Sequence, residues 1–142
     1  VGGATPGAGG IAFPATAVAV ADANTLDDYE EGTWTVTRNG FTEVLGAGAI
    51  TNTGAYTKIG RLVHLHATVV CSGGATIAIV AGNSYLSGCP FTPASPVAGV
   101  YTNGTTEVSF GGMHKRTSDL WIATTALVAG SSSIYFDCVF YT

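Results

Sequence analysis

Apolar and polar residues alternate along much of the chain, and the alternation is plainest in 61–70. There every second residue from Val63 to Val69 is apolar, while His64 and His66 fall between them. Successive side chains of a β-strand point to opposite faces, and Val, Thr and aromatic residues suit that pleated surface. The pattern therefore predicts β-strands that are buried on one side. The same period of two is found in 32–38 and 132–142, and the segments 106–112 and 119–128 are also strand-like in composition.

Turn-forming residues separate these runs at regular intervals. Two Asn-Gly pairs, at 39–40 and 103–104, are typical of two-residue hairpin turns. A helical period of 3.6 residues is missing from the pattern, although 26–31 is compatible with one helical turn. The sequence therefore predicts an all-β body of eight to ten strands, arranged as an antiparallel, jelly-roll-like β-sandwich.

The pattern also divides the chain into three parts. Residues 1–10 are rich in Gly, Ala and Pro, which predicts a flexible linker. Residues 11–31 are first apolar and then acidic, and they predict an extended arm, since Pro14 opposes a helix. Residues 32–142 predict one β-sandwich domain.

Charge is unusually sparse in these 142 residues. Charged residues make up 10% of the chain, against about 25% in ordinary soluble proteins, and the mean hydropathy is +0.37. Such a composition excludes an intrinsically disordered chain. A folded surface with so few charges is either rich in Thr, Ser, Asn and Gly or covered by other subunits, because interfaces are depleted in Lys and Glu. We expect both, and hence an oligomer.

Several classes of partner do not fit this composition. Five Lys and Arg residues are too few and too scattered for phosphate binding, so we expect no nucleic-acid partner. The chain lacks a run of 18 apolar residues, so we expect no membrane insertion. Three widely spaced cysteines predict free thiols and assembly in a reducing compartment. The first residues lack the basic segment of a signal peptide.

Four segments in order give the chain a resemblance to a known family. The most specific, NTLDDYEEGTWTVT at 24–37, resembles the LDDYEEGTWTP element of bacteriophage tail-fibre and other virion fibre proteins. GIAFPAT at 10–16 precedes it, and YTKIGRLV at 56–63 and GCPFTPA at 88–94 follow it, as their counterparts do in that family.

The resemblance implies a surface module of a tailed phage, placed C-terminally in a longer fibre or spike and usually trimeric. It therefore implies a virion location after assembly in the host cytoplasm. The partners implied are further copies of the chain, other virion proteins bound through the N-terminal arm, and a glycan or lipopolysaccharide on the host surface. No enzymatic activity and no cofactor are implied.

The acidic cluster beside the arm admits three interpretations. In a docking element, an Asp carboxylate accepts hydrogen bonds from backbone N–H groups where the arm enters the body, and two aromatic rings bury apolar area there. Two Glu side chains would then pair with Lys58 or Arg61. A solvated acidic turn and a metal or catalytic site are the alternatives. The docking residues would be Asp27, Asp28, Tyr29, Glu30, Glu31, Trp34, Lys58 and Arg61.

A His-Leu-His sequence at 64–66 is a candidate metal site. On a strand, His64 and His66 point to the same face. If that face lined a threefold axis, three chains would present six imidazoles, which suits an octahedral transition metal. Two partly exposed histidines on a polar strand face are the alternative.

Receptor binding points to loops that carry aromatic or cationic residues, since such groups recognise sugars and acidic glycans. For each aromatic candidate, a core position is the favoured interpretation over a sugar-binding surface position. The loop candidates are Tyr85, Tyr101, His114, Lys115 and Arg116.

Three functions remain open at this point: a receptor-binding tip of a tail fibre or spike, a capsid-bound head fibre or decoration protein, and a glycan-cleaving enzyme. Clustered carboxylates suggest the last of these, but five of the nine acids lie beside the linker rather than in the body. We therefore expect no enzyme.

Overall fold

A computed structural model of the chain describes residues 28–94, 98–103, 113–116, 119–122, 127–129 and 133–142. These residues form β-strands and, within the ranges given, no helix, so the all-β prediction is confirmed. The strands are β1 (Tyr29–Trp34), β2 (Thr37–Asn39), β3 (Thr42–Val44), β4 (Ala49–Ile59), β5 (Leu62–Ser72), β6 (Thr76–Ile79), β7 (Tyr85–Ser87), β8 (Ala98–Asn103), β9 (Met113–Arg116), β10 (Asp119–Ile122), β11 (Leu127–Ala129) and β12 (Ser133–Tyr141).

The strands form three antiparallel sheets. The largest has five strands in the order β1-β4-β5-β12-β8, and the others have the orders β2-β7-β10-β9 and β11-β6-β3. β1 begins at Tyr29 and therefore crosses the boundary that the sequence pattern puts between residues 31 and 32. Its first three residues are strand, so the helical turn considered for 26–31 does not form over them.

The core lies against one face of the five-stranded sheet. Alternate residues of β5, from Val63 to Cys71, are buried, and so are those of β12, from Ile134 to Phe140. Residues of the two smaller sheets complete the same apolar cluster, among them Ile77 on β6. The alternation in the sequence therefore identifies the buried face of both central strands correctly.

The chain turns at Gly40, whose φ is +69°, but the predicted hairpin around it is wrong. β2 pairs with β7, and β3 pairs with β6, so the turn carries the chain from one sheet to another. Gly40 lies against the 80–84 turn, where its carbonyl accepts a hydrogen bond from Ser84 Oγ at 2.9 Å. This long-range contact directs the two flanking strands apart. The hairpin predicted at 103–104 includes a residue outside the described ranges.

The three cysteines are free and buried, as the sequence predicts. Burial raises the pKa of all three thiols. The effect is greatest at Cys138, where burial, followed by the nearby Cys89 thiol, raises the pKa to about 12. Cys89 Sγ also contacts the carbonyl oxygen of Phe91 at 3.1 Å. These thiols act as small core side chains.

The native protein should react slowly with a thiol-specific chromogenic reagent at pH 8. The thiolate is the reactive form, and a pKa of about 12 leaves a thiolate fraction of roughly 10⁻⁴ at Cys138. Denaturant should release all three cysteines to rapid reaction. As a control, a Val44→Cys variant adds a thiol at an exposed position and should react with one equivalent while still folded. A fast equivalent in the native wild type would contradict the burial of the thiols.

Trp34→Ala should destabilise the fold by about 3–5 kcal/mol, because it truncates a large buried side chain. Chemical denaturation at fixed protein concentration measures the change in the free energy of unfolding. Thr33→Ala, at the exposed neighbouring position, is the control and should change it by less than about 0.5 kcal/mol. Equal effects of the two substitutions would show that Trp34 contributes nothing as a core residue.

Candidate functional site

The acidic segment enters the fold as an edge strand whose side chains interlock with β4. Gly32 lies opposite Tyr56, and Trp34 lies opposite Gly54. A Cβ atom on Gly32 would lie 2.6 Å from the Tyr56 hydroxyl oxygen, and one on Gly54 would lie 2.5 Å from Trp34 Nε1. Each aromatic ring therefore occupies the space above the glycine of the other strand. The Gly-Thr-Trp and Gly-Ala-Tyr sequences match because the strands run antiparallel.

The Trp34 ring reaches beyond β4. Its Nε1–H donates to the backbone carbonyl of His66 on β5 at 3.3 Å. A buried indole N–H needs such a partner. One side chain thus links the first three strands of the five-stranded sheet.

Two carboxylates from the start of the described chain converge on Lys58 of β4. Its Nζ pairs with Asp28 Oδ2 and lies 3.4 Å from Glu30 Oε1. All three side chains lie on the side of the sheet that carries Trp34, and the Lys58 and Asp28 side chains are largely buried. The Asp28 carbonyl also accepts a hydrogen bond from Gly60 N at 2.7 Å. The described part of the chain therefore begins at a charged, half-buried corner, which we call the entry corner.

This corner leaves one acceptor unused among the described residues. Asp28 Oδ1 is buried, and no donor within the described ranges reaches it. A buried carboxylate oxygen without a donor costs free energy. The negative charge of Asp28 therefore depends on the contact of its other oxygen with Lys58 Nζ.

The 88–94 segment packs on the same corner. The Phe91 ring meets the Tyr56 ring edge to face, with centroids 4.9 Å apart, and Lys58 Nζ lies 6.0 Å from the Phe91 centroid. Gly88 has a φ of +97°, and a Cβ there would lie 2.1 Å from the Thr35 carbonyl oxygen. Three of the four segments that carry the family resemblance thus meet in space. The fourth, 10–16, lies outside the described residues.

The structure separates the other members of the acidic cluster. Glu31 points to the opposite side of the sheet, where its carboxylate accepts a hydrogen bond from the Tyr29 hydroxyl; this bond raises the pKa of Tyr29. Arg61 Nε donates to the Thr142 carbonyl at 2.8 Å, so it fastens the last residue to the turn after β4. Asp27 lies outside the described residues. Of the ion pairs considered in the sequence, the structure brings Glu30 to Lys58.

His64 and His66 share the exposed side of β5, and each has a partner on β12. His64 Nε2 lies 2.9 and 3.0 Å from the two carboxylate oxygens of Asp137. The His66 ring lies near the Tyr135 ring, with centroids 6.5 Å apart. No cluster of three or more His, Cys, Asp or Glu side chains suited to a metal ion occurs in the part of the chain that is described. The sequence did not reveal Asp137 as a partner, because strand order alone brings it to His64.

The loop candidates for receptor binding lie on strands. Tyr101 on β8 is 1% exposed and contacts the Phe136 ring, with centroids 6.2 Å apart, so it is a core residue and the surface prediction is wrong for it. Apolar and polar residues alternate only weakly in 98–103, so the sequence pattern does not predict a strand there with Tyr101 on its buried side. Tyr85 is half-buried on β7. His114, Lys115 and Arg116 form part of β9, which pairs with β10, instead of a loop.

Comparisons with known proteins yield no family. No protein-family model, no curated protein sequence and no solved structure matches the chain. Among the described residues, no helix is long and apolar enough to cross a membrane.

Lys58→Met should lower the free energy of unfolding by about 1–3 kcal/mol, because it leaves two carboxylates without their cation. Chemical denaturation measures the loss. Arg61→Met, which removes an exposed cation from the adjacent turn, is the control and should cost less.

A double-mutant cycle with Asp28→Asn isolates the ion pair. If the pair stabilises the fold, the double variant loses less than the two single losses added together, by roughly 1 kcal/mol. Additive losses would show that Lys58 and Asp28 contribute independently.

Proposed function

We propose that this chain is a structural and adhesion module of a phage virion: the receptor-binding or tip domain of a trimeric tail fibre or spike that contacts glycan on the host surface. In this proposal the three antiparallel sheets form a jelly-roll-like β-sandwich. The observation that carries the proposal is the convergence of three fibre-like segments on one corner, where the chain enters the fold. The contacts among these segments, which lie far apart in the sequence, support the interpretation that they act as one structural unit.

The entry corner suits a domain held at the end of a fibre. The segment at 28–34 is fixed by a six-residue strand, two aromatic rings over two glycines, and the Lys58 ion pairs. An arm that continued from this segment, as the proposal requires, would start in a defined direction. A tip domain needs that property, because its orientation on the shaft decides which surface meets the host.

A capsid-bound head fibre or decoration protein is the second candidate. The burial of Tyr101 removes one loop candidate for glycan binding, and this second candidate function needs no glycan-binding residue. The entry corner supports this candidate equally well, since it would fix the domain on any virion protein. The two candidates differ in their place on the particle and in host binding.

Labelling of particles separates the two candidates. Gold-conjugated antibodies raised against the purified protein should label the tail tips of the phage that encodes this chain. Labels over the capsid would instead support the decoration protein. Particles that carry no label at either place, while the antibody recognises the purified protein, would contradict both.

Adhesion is measured separately on the purified native protein. Fluorescently labelled protein should bind susceptible host cells and their isolated lipopolysaccharide, and unlabelled protein should compete. Cells resistant to the phage are the control. An assembly that binds neither the cells nor the lipopolysaccharide at high avidity would exclude the receptor-binding function.

A further inference from the structure

The five-stranded sheet has a second face, on the side away from the core. The alternation that buries Val63 on β5 and Phe136 on β12 turns the residues between them outward. The strand register aligns these outward residues into rows that cross the sheet. We call this surface the outer face. Its members with described side chains are Tyr29, Glu31, Thr33, Ala49, Thr51, Thr53, Ala55, Thr57, Ile59, Leu62, His64, His66, Thr68, Val70, Ser72, Val100, Ser133, Tyr135, Asp137, Val139 and Tyr141.

The outer face collects most of the exposed apolar side chains. Ten large hydrophobic residues are exposed in the described part of the chain, and seven of them lie on this face. Tyr141 is 57% exposed and Val139 is 47% exposed. A concentration of this kind on one sheet face is typical of an interaction surface. The seven are Ile59, Leu62, Val70, Val100, Tyr135, Val139 and Tyr141.

The outer face carries little free charge. Its described members include no Lys or Arg, and its carboxylates are those of Glu31 and Asp137. Each carboxylate already has a partner on the same face, the Tyr29 hydroxyl and the His64 ring. Paired groups cost less to remove from water than lone charges. The face can therefore be covered without leaving a carboxylate unpartnered.

The polar residues of the outer face favour the outer faces of other copies of this chain as its cover. Five threonines lie among the apolar residues, and a hydroxyl both donates and accepts hydrogen bonds, so it can pair with a hydroxyl of its own kind. A basic partner would find no unpaired acid among the described residues of the face. The threonines are Thr33, Thr51, Thr53, Thr57 and Thr68.

The size of the outer face is also sufficient. With strands about 4.8 Å apart and a rise of about 3.3 Å per residue, the five strands cover roughly 700 Å². Stable protein–protein interfaces of standard size bury about 600–1,000 Å² on each partner. The face therefore has the area that one standard interface needs.

We propose that copies of this chain associate through the outer face of the five-stranded sheet. The inference rests on the oligomer of the proposed function and assigns its contact surface. It also accounts for the sparse charge of the chain, because the most apolar exposed surface of the described residues is then covered in the assembly.

Two substitutions on the outer face and one control elsewhere test the assignment. Val139→Glu and Tyr135→Glu each place a third acid on the face. Val44→Glu makes the same change at an exposed valine of β3, in another sheet. Sedimentation equilibrium gives the mass of each native protein, and far-ultraviolet circular dichroism shows whether each variant is folded.

The wild type should be an oligomer, with a mass at least about twice the 14.3 kDa of one chain. Both outer-face variants should fall to 14.3 kDa while folded, with a dissociation constant at least about 100-fold higher. Val44→Glu should keep the wild-type mass. A monomeric wild type, an unchanged mass in both folded outer-face variants, or equal dissociation of the control would overturn the proposal.

Radical footprinting of the wild type tests the surface without any substitution. Oxidation of Tyr135, Val139 and Tyr141 should decrease as the protein concentration rises through the association range. Oxidation of Val44 and Leu45, which are exposed elsewhere, should stay constant. Protection of the second group without the first would place the interface away from the outer face.

The results also separate this inference from the proposed function. An assembly that dissociates through Val139→Glu but binds no host surface supports the interface and excludes the adhesion role. An assembly that binds the host and keeps its mass in both outer-face variants supports adhesion and excludes this interface.

Discussion

The pairing of β1 with β4 is the constraint on which the rest of the described fold depends. The two strands interlock because Trp34 lies over Gly54 and Tyr56 lies over Gly32, and neither glycine has room for a Cβ atom. A shift of β1 by one residue would turn Trp34 and Gly32 to the other side of the sheet and separate both rings from their glycines. The register of the edge strand is therefore set by side-chain shape as well as by backbone hydrogen bonds. The Trp34 bond to the His66 carbonyl then ties that register to the central strand β5.

The charged corner follows from the same register. Once Gly32 is opposite Tyr56, Glu30 must be opposite Lys58, and the preceding Asp28 reaches the same ammonium group. The Phe91 ring packs on Tyr56 and lies near Lys58, so the 88–94 segment contacts the same two β4 residues that lie opposite Gly32 and Glu30 of β1. Short-range electrostatics and ring packing thus act together at the point where the chain enters the sheet. This coupling explains why the segments 28–34, 56–63 and 88–94 belong to one structural unit.

The sequence predicts which side of a single strand is buried. It does not predict which residues of distant strands come into contact. The alternation of 61–70 and 132–142 identifies the core side of β5 and β12, because one buried face imposes a period of two. The partner of His64 could not be read in this way, since Asp137 lies 73 positions away and only the order of strands in the sheet brings them together. The turn at Gly40 shows the same limit: its Asn-Gly pair predicts a bend, but Ser84 and the strands β6 and β7 decide where the chain goes next. Tyr101 is a loop candidate in the sequence but a buried residue of β8 in the structure. Its short strand has too little alternation to show which side is buried.

The two faces of the five-stranded sheet together explain why the chain has so few charged residues. One face must be apolar, because it carries the core of all three sheets. In a monomer the other face would be exposed to water, and the solvent-exposed face of an antiparallel sheet is usually polar. Lys, Glu and Arg would then be expected on it. Here that face has threonines, seven exposed hydrophobic residues and two carboxylates that already have partners. The scarcity of charged residues is thus found on the outer face in particular, as well as in the average composition. Burial of the outer face against another copy would remove its apolar side chains from water while leaving both paired carboxylates satisfied, and so the few charges of the chain would be enough for the surface that remains.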